Sequence, residues 1–105
     1  MKLTIEQMEA DLTERAEGDE LYAEAKTEVL RREIFAKRVR ARVFVTEDGS
    51  VDARKAKAEG HADVEAADEM LIDATADFER LKARRETLDI RIESTRTVEA
   101  SRRKG

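Results

Sequence analysis

The chain has 105 residues, of which 44% are charged and 4% are aromatic, and its formal net charge is −4. So few aromatic side chains leave little material for a large globular core, and the length favours a single domain. The chain has no proline and no cysteine, which favours long helices and excludes a disulfide framework or a thiolate site. We therefore predict one all-α domain in the cytoplasm.

The first ten residues show no sign of an export signal. They lack the apolar stretch of a signal peptide, and no part of the chain approaches the roughly 18 apolar residues of a membrane-spanning helix. The helical stripes are rich in alanine and have no tryptophan anchor, which disfavours binding of a basic helix to an anionic membrane. We expect no membrane partner.

The first predicted element is a short N-terminal helix within residues 1–17. Thr4 and Gln7 have the spacing of a capping box, which predicts a helix that begins at Ile5. Its predicted apolar stripe consists of Ile5, Met8, Leu12 and Ala16. Gly18 interrupts the pattern and is predicted to end this helix.

The first arm of a helical hairpin is predicted over residues 19–45, where apolar residues recur at helical spacing. These residues are Tyr22, Ala25, Val29, Ala36 and Val43, with Leu30 and Ile34 widening the stripe. The run from Val39 to Val45 alternates as a strand does, which leaves a strand as the alternative at this end. Helix is favoured, because an isolated β-hairpin is only marginally stable.

A turn is predicted at residues 46–50 and a second arm at residues 51–102. Gly49 can adopt positive φ, and Ser50 can cap a following helix. Gly60 is a weak point that leaves open whether the second arm is one helix or two. The later part of this arm is a heptad repeat with alternating steps of four and three residues. Its positions are Ala67, Leu71, Ala74, Phe78, Leu81, Arg85, Leu88, Ile92 and Thr95.

The two predicted arms differ in length. About 26 residues of the first arm would span roughly 39 Å, whereas about 50 residues of the second would span roughly 75 Å. The heptad beyond Phe78 would then need cover from the N-terminal helix, from a fold-back or from another subunit. Because each chain has so little core, we predict a coiled-coil-like homo-oligomer. The predicted oligomerisation residues are Leu71, Phe78, Leu81, Leu88 and Ile92.

Charge is distributed in four blocks of alternating sign. The net charges are −6 for residues 1–28, +5 for residues 29–57, −8 for residues 58–79 and +5 for residues 80–105. This alternation permits electropositive surfaces on an acidic protein. It also favours contacts between oppositely charged helices or subunits.

Basic residues gather on both sides of the predicted turn. Clustered cations neutralise phosphates and release counterions without reading base sequence. The predicted nucleic-acid-binding residues are Lys37, Arg38, Arg40, Arg42, Arg54 and Lys55. The alternative is that these residues are helix formers paired with glutamates. Phe35 and Phe44 could stack on bases if exposed, although packing at apolar helical positions is the alternative role.

Catalytic chemistry has little support in the sequence. His61 is the only histidine and no cysteine accompanies it, so a surface or helix-joint role is expected rather than a metal site. Neighbouring acids such as Asp63 and Glu65 lie in a block without basic residues, which is typical of a solvated or partner-facing surface. No glycine-rich phosphate loop or nucleophile constellation occurs. We predict a non-enzyme without a cofactor.

Short motifs lie on both sides of the turn. They are Arg40-Ala41-Arg42 followed by Val43-Phe44, then the turn around Gly49, and then Asp52-Ala53-Arg54-Lys55. In this order they resemble the UvsY family of phage recombination mediator proteins. With a C-terminal half that matches in general character, the resemblance covers residues 20–105. It implies a long second helical region that builds a ring-shaped oligomer.

The resemblance also implies a function. The protein would be a small phage or prophage protein of the host cytoplasm that binds single-stranded DNA. Arg40 and Arg42 would take the place of the family's DNA-contacting basic pair. The implied protein partners are a recombinase and the single-strand-binding protein that covers the DNA onto which the recombinase is loaded.

The alternative function is a non-enzymatic structural or adaptor coiled-coil protein, such as a phage assembly factor. In that case the charge blocks would specify helix pairing. The two functions differ in one structural feature of the hairpin tip, which is the turn at residues 46–50 together with the basic residues on both sides of it. A DNA-binding protein leaves the tip arginines unpaired, whereas an adaptor pairs them with the acidic blocks at residues 1–28 or 58–79.

Overall fold

The structure, a computed structural model, describes residues 2–104 and contains three helices and no strand in that range. Helix α1 spans Ile5–Thr46, α2 spans Val51–Glu59 and α3 spans Ala62–Lys104. The predicted all-α helical hairpin is confirmed, with α1 as one arm and α2 followed by α3 as the other. The segment 38–45 is helical, so the alternative of a strand there is wrong.

Helix α1 begins at the predicted residue but does not end at Gly18. The Thr4 Oγ1 accepts a hydrogen bond from the N–H of Gln7 at 3.1 Å, which caps the helix start. The helix then continues for 42 residues, so the prediction of a separate N-terminal helix within residues 1–17 is wrong. A glycine in a helix costs only about 1 kcal/mol relative to alanine. Packing of the helix on both sides of Gly18 outweighs that cost.

The long helices of the two arms are of similar length. α1 has 42 residues and α3 has 43, which correspond to about 63 Å and about 65 Å. The first arm is therefore longer than predicted, and its N-terminal part covers the heptad beyond Phe78, which is one of the three covers predicted. The error follows from ending the first helix at Gly18.

The turn between α1 and α2 has the predicted construction. Gly49 has a φ of 114°, in the left-handed region that favours glycine. The Ser50 Oγ accepts a hydrogen bond from the N–H of Ala53 at 3.2 Å, and so caps α2. Both predictions for this turn are confirmed.

The second arm breaks at Gly60 and His61. The N–H of His61 donates to the carbonyl oxygen of Ala58 at 3.2 Å, at the end of α2. The His61 Nδ1 accepts a hydrogen bond from the N–H of Asp63 at 3.0 Å, which satisfies a free donor at the start of α3. The second arm is therefore two helices, and His61 lies at their joint as expected.

The chain divides into two compact units, and the first combines α1 up to Glu24 with α3 from Glu79 onward. Its most buried side chains are Asp11, Leu88, Ile92 and Thr95. Four ion pairs join the helices: Asp11 with Arg91, Glu14 with Arg84, Arg15 with Asp89, and Asp19 with Arg85. Residue 11 pairs with residue 91 and residue 19 with residue 85, so the helices in this unit are antiparallel.

The second unit comprises residues 25–78. Its core is a cluster of small aliphatic side chains, Ala36, Val39, Val43, Ala58, Val64 and Ala67. Small side chains let helices approach closely. In this unit the basic half of α1 contacts acidic residues of α2 and α3, the reverse of the charge arrangement in the first unit.

The heptad predicted on α3 is covered by the chain itself. All nine positions are buried or half-buried, and Leu88 and Ile92 are only 2% and 5% exposed. Arg85, the charged member, places its guanidinium over the ring of Tyr22, 4.1 Å from the centroid. The five predicted oligomerisation residues, Leu71, Phe78, Leu81, Leu88 and Ile92, therefore pack within one chain. The oligomer itself remains a prediction.

The apolar stripe predicted on α1 is right in part. Its buried or half-buried members are Met8, Tyr22, Ala25, Val29, Ala36 and Val43. Leu30 and Ile34, which were expected to widen it, are 53% and 50% exposed. The other exposed members are Ile5, Leu12 and Ala16. α1 carries apolar residues on two faces, and the heptad of α3 covers only one.

Candidate nucleic-acid interface

Arg40, one of the six residues predicted to bind nucleic acid, is held by two carboxylates. Its Nε donates to Glu59 Oε1 at 2.8 Å and its Nη2 donates to Asp68 Oδ2 at 2.8 Å. The hydrogen bonds to Glu59 and Asp68 raise the pKa of Arg40, and the hydrogen bond from Arg40 lowers the pKa of Glu59. Arg40 could bind a phosphate only after losing these bonds.

Arg54 is also engaged within the chain. Its guanidinium lies over the ring of Phe44, 5.8 Å from the centroid, and a cation–π contact of this kind ties α2 to the last turns of α1. The Arg54 Nε is buried and has no hydrogen-bond partner within residues 2–104. Both side chains are half-buried. Phe44 therefore packs, as the alternative role predicted.

The other four predicted residues, Lys37, Arg38, Arg42 and Lys55, are exposed, and we call them the tip cations. Within residues 2–104 none of the four forms an ion pair. No acidic residue occurs between Ile34 and Thr46. Arg38 and Arg42 are four residues apart and so project from the same face of α1. Their charge is available to a ligand in solution.

Lys57 supports the turn itself. Its Nζ donates to the carbonyl oxygen of Asp48 at 3.2 Å and lies 4.0 Å from the carboxylate of Glu47. These contacts join the turn to α2. They help to fix Lys55, two residues earlier on α2, near the end of α1.

A mainly apolar groove lies beside the tip cations, with a volume of about 480 Å³. Its lining residues are Arg40, Ala41, Phe44, Val45, Lys55, Ala58 and Glu59. Val45 is 74% exposed, and Lys55 lines one wall. An apolar surface next to a lysine can hold a nucleobase and its phosphate. Phe35, which is 43% exposed, lies outside this groove.

Two further site types are absent from residues 2–104. No three side chains among histidine, aspartate and glutamate are placed to hold a metal ion. None of the helices is both long enough and apolar enough to cross a membrane.

Comparisons with known proteins provide no relative for this chain. A scan against protein-family models finds no matching family, and searches of curated proteins and of solved structures find no match. The resemblance to the UvsY family therefore rests on the short motifs around the turn and stays a prediction.

Sequence analysis missed Glu59 and Asp68 as partners of Arg40. A signal for them was present, because the acidic block 58–79 follows the basic block across the turn, and antiparallel arms bring the two blocks together. Arg40 also lies four residues after Ala36 and three before Val43, on the buried side of α1. The helical spacing from these two positions would have placed Arg40 on a different face of α1 from the tip cations of that helix.

Proposed function

We propose that the chain is a non-enzymatic protein that binds single-stranded DNA through the tip cations. The observation that supports this function best is the exposure of Lys37, Arg38, Arg42 and Lys55 without ion-pair partners in residues 2–104. Such cations bind phosphates and displace counterions, and they need no base readout. The groove beside Lys55 would receive a base of the strand.

The role in recombination comes from the resemblance to the UvsY family alone. On that basis the protein would be a phage-type mediator that helps to load a recombinase onto DNA covered by single-strand-binding protein. Arg42, together with Arg38, would contact the DNA. Arg40 would instead hold α1 against Glu59 and Asp68.

The test is the fluorescence anisotropy of a labelled single-stranded oligonucleotide across a salt series. Each neutralised phosphate contributes a log–log slope of about −0.7 on single strands, so four contacts predict a slope of about −3. The variant Arg38→Ala/Arg42→Ala should reduce the slope to about half. Arg40→Ala should leave the slope nearly unchanged, because its guanidinium is held by carboxylates.

The matched control is Lys26→Ala/Lys82→Ala, which removes the same net charge from two exposed positions outside the tip. It should bind as the original chain does. An equal loss in both double variants would contradict a site at the tip. Absence of binding at low ionic strength would contradict the proposed function itself.

A second candidate function is that of a structural or adaptor protein. The ion pairs of Arg40 with Glu59 and Asp68 favour it, because an adaptor is expected to pair tip arginines with the acidic block at residues 58–79. If the folded chain binds no oligonucleotide at low salt but binds a protein partner, the adaptor function replaces the first proposal. Tip-cation variants should then weaken that protein contact.

A further inference from the structure

The outward side of α1 carries apolar side chains that nothing else in residues 2–104 covers. In the first unit, Ile5 is 46% and Leu12 is 39% exposed; in the second, Ile34 is 50% and Val45 is 74% exposed. Within each unit the two residues are spaced by whole helical turns, seven or eleven residues apart, and so share a face. A helix that is apolar on two sides is typical of one that is covered on two sides.

The exposed charged residues beside these apolar residues are acidic in the first unit and basic in the second. In the first unit, an acidic face consists of Ile5, Glu6, Glu9, Leu12, Ala16 and Glu20. The only basic residue from Ile5 to Glu24 is Arg15, which is held by Asp89 and Asp19. In the second unit, a basic face consists of Ile34, Lys37, Arg38, Ala41, Arg42 and Val45.

The charged residues of both faces take no part in the ion pairs inside the chain. Within residues 2–104, no ion pair involves Glu6, Glu9 or Glu20, nor the three cations of the basic face. Each face therefore presents an apolar centre flanked by charges of one sign, and the signs are opposite.

We infer that the basic face of one copy of the chain docks against the acidic face of a second copy. Apolar residues at the centre would be buried, while opposite charges at the edges select this pairing over like-with-like contacts. The second copy is the partner that the chain itself specifies, because one sequence supplies both complementary faces. This interface replaces the predicted one on α3, whose apolar heptad packs within the chain.

The inference is independent of the proposed DNA binding. Lys37, Arg38 and Arg42 nevertheless belong both to the basic face and to the tip cations. A polyanion and a second copy would then compete for these three cations, and saturating oligonucleotide would release the second copy.

The experiment is a charge exchange on the full chain, followed by sedimentation velocity over a range of protein concentrations. The first variant is Lys37→Glu/Arg38→Glu/Arg42→Glu, and the second is Glu6→Lys/Glu9→Lys/Glu20→Lys. The unmodified chain should self-associate, more weakly at high salt. Each variant alone should raise the dissociation constant on the order of 100-fold, because like charges then meet.

An equimolar mixture of the two variants restores opposite charges and should recover association. This recovery separates an interface effect from misfolding, and circular dichroism checks that each variant keeps its helices. Substitution of two exposed isoleucines provides a matched control. Ile34→Ser should weaken association, whereas Ile72→Ser, at a 57% exposed position on α3, should not. A monomeric unmodified chain would overturn the inference. Folded variants that associate as before, or that fail to associate when mixed, would overturn it as well.

Discussion

The two compact units are stabilised by different interactions. In the first unit four ion pairs cross between α1 and α3, and in one of them Asp11 is buried and Arg91 is half-buried. In the second unit the core is a cluster of alanine and valine side chains, and Arg40 of α1 pairs with Glu59 of α2 and Asp68 of α3. In both units acidic segments face basic ones. The opposite charges favour the pairing of these segments, and the apolar contacts supply stability.

The largest expected effect comes from removing the apolar contact of the first unit. Leu88 is 2% exposed, and Leu88→Asp would bury a charge without a partner, which costs several kcal/mol. We expect loss of helical circular dichroism at every protein concentration. If the residue instead served an oligomer interface, the variant would dissociate but keep its helices.

Ile90 provides the control for this substitution, because it lies two residues away on α3 and is 65% exposed. Ile90→Asp should unfold at nearly the same urea concentration as the original chain. Equal destabilisation by the two substitutions would contradict the burial of the heptad within one chain.

The second prediction concerns the buried ion pair of the first unit. Arg91 Nη2 lies 3.1 Å from Asp11 Oδ1, and the Asp11 side chain is 3% exposed. Arg91→Met would leave this carboxylate buried without a cation, held only by the hydrogen bond from Gln7 Nε2 at 2.9 Å, at a cost of about 3 kcal/mol. Urea unfolding, monitored by circular dichroism, measures the loss in the free energy of unfolding.

Two variants test the cause of that loss. The double variant Asp11→Leu/Arg91→Met removes both charges and should recover most of the stability. Arg84→Met breaks an ion pair with Glu14 whose side chains are both 47% exposed, so it should cost less than about 1 kcal/mol. Similar losses of stability for Arg84→Met and Arg91→Met would show that burial does not determine how much these ion pairs contribute to stability.

Local signals in the sequence were sufficient for much of the fold. Thr4, Gly49 and Ser50 act within a few residues of their own positions, and each was assigned correctly. The heptad of α3 was also readable, since one periodic stripe dominates that helix. Gly18 was misread, because helix propensity there is overridden by contacts that are distant in sequence.

The orientation of α1 could not be read in the same way. This helix has two apolar faces, and only the packing against α3 decides which one is buried. That choice turns Asp11 inward and leaves Ile34 exposed. It also separates Arg40, which pairs with carboxylates, from Arg38, two residues earlier and exposed. The separation of Arg40 from Arg38 therefore depended on which face of α1 is buried, and the spacing from Ala36 and Val43 was the only local signal for it.

The third prediction compares a glycine in each unit. A Cβ added at Gly18 would meet no atom within 4 Å, and the position lines a cleft of about 240 Å³. Gly18→Ala should therefore raise the free energy of unfolding by about 0.5–1 kcal/mol, through helix propensity. Gly49→Ala should lower it by about 1–2 kcal/mol, because φ is 114° there. Urea unfolding of both variants measures the sign of each change in the free energy of unfolding. A destabilised Gly18→Ala variant would mean that the glycine is needed for close packing.

The smallest expected effect is a pH dependence with one contributor in each unit. The hydrogen bond from Arg84 lowers the pKa of Glu14, and the hydrogen bond from Arg40 lowers the pKa of Glu59, both from an ordinary value of 4.5. Since the pKa is lower in the folded state, each group stabilises the fold above pH 4.5 and loses that contribution as the pH falls through the folded-state pKa. Glu14→Gln and Glu59→Gln should each make the decline of stability between pH 5 and pH 3 shallower, as measured by urea unfolding at several pH values. A decline that stays equally steep in both variants would assign the acid sensitivity to other carboxylates. A change in Glu59→Gln alone would show that the pair of Glu59 with Arg40 persists in solution and that the pair of Glu14 with Arg84 does not.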